Sequence, residues 1–176
     1  MSTRPIVVVD VETTGLAPTL DQVWELAAIY IDSCGGEWLF TAYVEHDTSL
    51  AEALPEKFRA DHDERYGAAT RLGLVYTVDR LRAALAPMLD GATLVGAQPW
   101  FDAGFLARLL GGTPWHYRLR CVESMTAGHL GRDVGGLDDC LAALDLEPNE
   151  HPHRALDDAA AALRIWKHLT EQEVQP

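Results

Sequence analysis

The chain has 176 residues, 48% of them hydrophobic, enough to bury a core of ordinary domain size. Its formal net charge of −13 excludes a broad electrostatic grip on a nucleic-acid backbone, though not a small site where bound cations supply the positive charge. No apolar run is long enough to span a membrane, and Cys34, Cys121 and Cys140, with no C-x-x-C spacing, fit reduced thiols of a cytoplasmic protein better than a disulfide framework or a zinc site.

Residues 5–10 predict a buried strand, because Ile6-Val7-Val8-Val9 is apolar on both faces. The run delivers Asp10-Val11-Glu12-Thr13-Thr14-Gly15. Side chains alternate along a strand, so Asp10 and Glu12 point the same way. Two acids side by side at the end of a buried strand either hold a divalent cation or repel each other at a cost. Val23–Ile31 and Glu37–Val44 predict two further strands around the turn signal Ser33-Cys34-Gly35-Gly36, which makes an antiparallel meander. The mixed stretch 45–77, containing Pro55, predicts short helices.

Val78–Leu89 has helical spacing, with Leu81, Leu85 and Leu89 on one face. A short strand over 92–97 follows, then a helix over 100–110 that places Phe101, Phe105 and Leu109 together in the core. A strand over 118–122, a helix over 137–144 and a last helix from about residue 154 to about 171 complete the chain. Strands first, then alternating helices and strands, predict one α/β domain over residues 1–176. Its mixed sheet combines a three-stranded antiparallel meander with parallel strands, flanked by helices.

Two later segments also carry acids at element boundaries. In Val95-Gly96-Ala97-Gln98-Pro99-Trp100-Phe101-Asp102 a strand ends and Asp102 falls in the first turn of the next helix, where the helix dipole favours a carboxylate. In His151-Pro152-His153-Arg154-Ala155-Leu156-Asp157-Asp158 two histidines precede a helix that opens with two aspartates. Asp158 lines up with Ala162, Trp166 and Leu169 and so faces inward, which is costly for a carboxylate unless it is paired or metal-bound. Asp157 lines up with Ala161, Arg164 and His168, a more polar stripe, and is expected at the surface facing Arg164.

In this order the segments resemble the three motifs of the DnaQ-like 3′–5′ exonucleases, in the subclass with a catalytic histidine (DEDDh). The first motif is Asp10-Val11-Glu12-Thr13-Thr14-Gly15-Leu16, the second Gly96 to Asp102 with Ala103-Gly104-Phe105-Leu106 after it, and the third His153 to Ala159. The family's spacing between histidine and last aspartate fits His153 and Asp158; His151 would need an acid where Leu156 stands. Val23-Trp24-Glu25-Leu26-Ala27-Ala28 resembles the family's second strand, with Glu25 in a structural role. Ala97-Gln98 stands where the family often has His-Asn, which bears on how the terminal nucleotide is held, and Glu123-Ser124 replaces an Asp-Thr pair of the middle strand.

The resemblance implies a ribonuclease H-like fold and hydrolysis of the last phosphodiester at a 3′ end, releasing nucleoside 5′-monophosphates. Asp10, Glu12, Asp102 and Asp158 would hold two Mg²⁺ or Mn²⁺ ions, Asp10 bridging both, Glu12 and Asp158 on the ion that activates water and Asp102 on the other. His153 would be the general base. Leu16 resembles the apolar residue that wedges against the terminal base, backbone N–H groups around Thr13, Thr14 and Gly15 would meet the sugar, and Trp100 or Phe101 could stack on a base. Single-stranded DNA or frayed 3′ ends are the expected substrate. RNA trimming of the oligoribonuclease or RNase T kind is the alternative, and a DNA polymerase or a second copy of the chain are further expected partners.

Overall fold

A computed structural model describes residues 4–171. In chain order the elements are β1 (Ile6–Thr13), β2 (Val23–Ile31), β3 (Glu37–Val44), a 3-10 turn (Thr48–Ala53), α1 (Glu56–Arg71), β4 (Val75–Tyr76), α2 (Val78–Leu89), β5 (Thr93–Gly96), α3 (Pro99–Leu110), β6 (His116–Cys121), α4 (Val122–Leu130), α5 (Leu137–Ala143) and α6 (Ala155–Glu171). They build one six-stranded sheet in the order β4-β3-β2-β1-β5-β6. The β1, β2 and β3 pairings are antiparallel, and β5, β6 and β4 join in parallel. This is the mixed sheet expected from the sequence, an antiparallel meander extended by parallel strands.

Strand alternation divides the core between the two faces of the sheet. Val7, Val9 and Val11 turn to one face and pack with Leu81, Leu85, Leu89, Phe105 and Leu106 of α2 and α3. Val8 turns to the other and packs with Val95, Val122, Leu141, Ala159, Ala162 and Ile165, beneath α4, α5 and α6. Asp10 and Glu12 therefore continue the Val8 face, the one covered by α6. The small Ala159, Ala161 and Ala162, all buried, present a low surface where α6 lies on the sheet.

Four features depart from the sequence reading. β1 runs through Thr13, so the two acids lie within the strand and are held by its pairing with β2. The stretch 45–77 contains the 16-residue helix α1. Only His62 and Ala69 of that helix are buried, so it has almost no apolar stripe to reveal it. β6 spans residues 116–121, and Val122 already begins α4, a helix absent from the sequence reading; Glu123 and Ser124 thus stand in a helical first turn and not in the strand. Asp157 does not face Arg164: its carboxylate is 3.6 Å from His151 Nδ1, while Arg164 donates to the carbonyls of Glu147 and Pro148. Ala161, assigned to the same polar stripe, is fully buried. Among the described residues no helix is long and apolar enough to cross a membrane.

Candidate active site

The first motif is shaped by a break in pairing. β1 and β2 are in register through Glu12 and Glu25, then shift so that Thr13 faces Val23. The bulge releases the chain into a tightly bonded loop. Thr13 Oγ1 donates to the Gly15 carbonyl at 2.6 Å, Thr14 N–H donates to the Gln22 carbonyl at 2.9 Å, and Gln22 N–H donates to Thr14 Oγ1 at 3.0 Å. The Thr14 N–H is therefore engaged within the loop itself. Asp21 Oδ2 accepts the Ala17 N–H at 2.8 Å, and Arg108 donates to the Pro18 carbonyl at 2.5 Å. A Cβ on Gly15 would lie 2.4 Å from the Asp21 carboxyl, so any side chain there displaces that carboxyl from its place in the loop. The result is an anchored loop that leaves Leu16 84% exposed beside the acids.

Asp10 and Glu12 from β1 and Asp158 from the first turn of α6 each offer a carboxylate oxygen, all within 4.8 Å of one another. Burial pushes the Asp10 carboxyl well above the usual range, and repulsion from Asp102, Asp158 and Glu12 adds to it. Glu12 is pushed up to about 8, first by burial and then by Glu25 and Asp158, with Arg65 opposing. Asp158 is raised by burial, offset by hydrogen bonds from the Asn149 side chain and the His153 N–H. A group of half-buried acids that resist ionisation together is poised for a cation. All-carboxylate oxygen donors suit hard divalent ions, and nitrogen or sulfur ligands that would favour zinc are absent from the group.

Asp102 is near this group but is not part of it. Its Oδ1 accepts the Val11 N–H at 3.0 Å, and the residue is only 5% exposed. Burial lifts its carboxyl to about 7, although backbone hydrogen bonds oppose the shift.

One cleft of about 710 Å³ collects most of the residues singled out in the sequence: Asp10, Glu12, Thr13, Thr14, Gly15, Leu16, Gln98, Asp102, His153 and Asp158 all line it. Gln98 is held by a hydrogen bond from its amide to Glu123. Trp100 is not on the cleft wall and stays 55% exposed. Phe101, expected in the core, lines the cleft and packs against Phe105 at 4.9 Å between ring centroids. Glu25 accepts from Arg65 and, at 3.5 Å, from the Ala155 N–H.

His153 reaches the cleft from a left-handed backbone conformation, φ 66°. For a residue other than glycine this costs on the order of 1–3 kcal/mol. His151, two residues earlier, is exposed and does not line the cleft. The sequence reading did not identify Phe58, Asp61 and Trp24, which also line it, nor Arg65 and Asn149, which bond its residues. Nothing local in the sequence marks Arg65, which lies 88 residues from His153.

Residues 7–166 match the RNase T exonuclease family. The chain belongs to this exonuclease family. It is thus a phosphodiester hydrolase by membership. The DNA polymerase III PolC-type of Thermotoga maritima is 26% identical over 168 residues, which are 94% of this chain and 12% of that protein. Escherichia coli exonuclease I in complex with a dT13 oligonucleotide superposes with a TM-score of 0.65 at 17% identity, over 97% of this chain and 42% of that one. The zinc-bound form of its single-stranded DNA complex gives 0.67 at 16% identity, over 98% and 41%. This exonuclease chain thus spans about an eighth of the polymerase and less than half of exonuclease I.

Proposed function

We propose that the chain is a 3′–5′ exonuclease domain of the histidine-containing DEDD subclass. It would act on single-stranded DNA or frayed 3′ ends and release nucleoside 5′-monophosphates. The observation that carries this reading is the convergence of Asp10, Glu12 and Asp158 within 4.8 Å on the cleft that His153 also lines. The dT13-bound exonuclease I and the PolC-type polymerase support DNA as the substrate class.

Asp10, Glu12 and Asp158 would hold two Mg²⁺ or Mn²⁺ ions, with Asp102 behind them. Such ions supply charge neutralisation and a clamp on the attacking and leaving oxygens of an in-line displacement. His153 would accept the proton of the attacking water as general base, from its place on the cleft wall beside the acids. The attack breaks the last P–O3′ bond, the phosphate leaves with the terminal nucleoside, and the shortened strand takes up a proton on its new 3′ oxygen. Leu16 offers an apolar edge at the cleft mouth, and the Phe58 and Phe101 rings on its wall can stack with bases of any sequence.

The test is digestion of 5′-labelled and 3′-labelled DNA, single-stranded and duplex, and of RNA, with Mg²⁺, Mn²⁺ or EDTA. The expected result is immediate release of labelled mononucleotide from the 3′-labelled single strand, a descending ladder from the 5′-labelled one, and no product in EDTA. Mononucleotide released first from the 5′ end, or undiminished digestion in EDTA, overturns the reading. Faster digestion of RNA than of DNA reassigns the substrate.

A further inference from the structure

The strained backbone of His153 is held on three sides. Its N–H donates to Asp158 Oδ2 at 3.1 Å, its carbonyl accepts from Arg65 Nη2 at 2.9 Å, and its ring meets the Phe58 ring edge-on at 5.0 Å. Phe58 and Arg65 both belong to α1, so one helix supplies two of the three restraints.

Arg65 is itself fixed independently of His153. Its Nε donates to Asp61 Oδ2 at 2.9 Å, Nη2 bonds the same carboxylate, and Nη1 bonds Glu25 on β2. The guanidinium lies over the Trp24 ring, 4.7 Å from its centroid, with the side chain 11% exposed. Two carboxylates, an aromatic face and the His153 carbonyl are met by one planar fork. A lysine ammonium, a compact point charge, cannot reproduce that set.

We propose that Arg65 is a positioning residue for the hydrolytic reaction: by fastening the His153 carbonyl to the α1–β2 frame it sets where the His153 ring stands over the acids. This rests on the reading of His153 as general base. A loop residue in an unfavourable conformation relaxes when a restraint is lost, and misplacement of a reacting group by about 1 Å can cost about 10²-fold in rate. The His153 side chain would still be present, but at the wrong place.

The test is a double-mutant cycle with Arg65→Lys, His153→Ala and the double variant, reading kcat and KM on 5′-labelled single-stranded DNA in Mg²⁺, Mn²⁺ affinity, and thermal stability. Arg65→Lys keeps a cation beside Glu25 and Asp61, so the fold is retained. The expected result is a kcat about 10–100-fold lower, with KM and Mn²⁺ affinity within about two-fold. The double variant should be no slower than His153→Ala, because Arg65 acts only through His153. If Arg65→Lys keeps full kcat while His153→Ala is slow, Arg65 does not position the base. If the two losses multiply, or Mn²⁺ affinity falls in step with kcat, Arg65 acts elsewhere and the proposal fails. If His153→Ala itself keeps full turnover, the base reading falls and the role of Arg65 with it.

Discussion

Asp102 and Val11 are 91 residues apart in the chain, yet the carboxylate of one accepts the backbone N–H of the other at 3.0 Å. Val11 is the residue between Asp10 and Glu12, so α3 is bonded to the backbone that carries both acids. Asp102 thus braces the first motif as well as adding charge to its surroundings.

That double role separates two substitutions. Asp102→Asn keeps an oxygen for the Val11 N–H, so the melting temperature should stay within a few degrees while digestion falls by at least about 10²-fold. Asp102→Ala leaves a buried N–H without a partner, a loss of about 1–3 kcal/mol, and should melt distinctly lower. Thermal melts beside a digestion assay check both; equal melting temperatures for the two variants would show that the bond does not brace the fold.

The acids make metal-free stability depend on pH in an unusual direction. Glu12 is raised to about 8, and Asp10 is raised as well. Between the ordinary carboxylate range near 4 and about 8, the folded state binds more protons than the unfolded state. Stability therefore falls as pH rises through that window, and is greatest at its acidic end as far as these groups are concerned. In EDTA the melting temperature should drop from pH 5.5 to pH 8.5, and saturating Mg²⁺ should offset the drop by binding the ionised acids. A flat profile in EDTA would contradict the raised carboxyls of Glu12 and Asp10, and with them the burial and repulsion that raise them.

Asp10→Asn should separate stability from activity. It removes a buried carboxyl whose ionisation burial and the neighbouring Asp102, Asp158 and Glu12 oppose, so at pH 8 without metal the variant should melt above the parent chain. The same variant should lose Mg²⁺-dependent digestion. Retained digestion would remove Asp10 from the metal site.

The loop after β1 makes a further prediction. Gly15→Ala forces the Asp21 carboxyl away from a position 2.4 Å from the new Cβ, and with it the bond to the Ala17 N–H. The expected cost is about 1–3 kcal/mol, with KM raised several-fold because Leu16 is displaced. Leu16→Ala, at an exposed position, should leave stability within about 0.5 kcal/mol and still raise KM. Steady-state kinetics and melts on both variants check this; unchanged KM in Leu16→Ala would remove the leucine from substrate contact.

The sheet and the acid positions were legible because they rest on short periods. Ile6 to Val9 and the alternation of Asp10 with Glu12 follow from strand geometry within a few residues, and the inward face of Asp158 follows from helical spacing within α6. Helix α1 was not legible, since it buries only His62 and Ala69 and is held by polar contacts such as those of Arg65. The strand-to-helix change at Cys121 and Val122 has no glycine or proline to mark it.

By itself the sequence determined which acids share a face and which side of their own element they occupy, because those depend on local periods. Only the tertiary structure decided the partners. It brought Asp158 to Asp10 and Glu12, set Asp102 against the Val11 N–H, left Trp100 off the cleft wall, and placed Arg65 on the carbonyl of His153. Each of these joins residues far apart in the chain, and such pairings are fixed by how α1, α3 and α6 pack on the sheet.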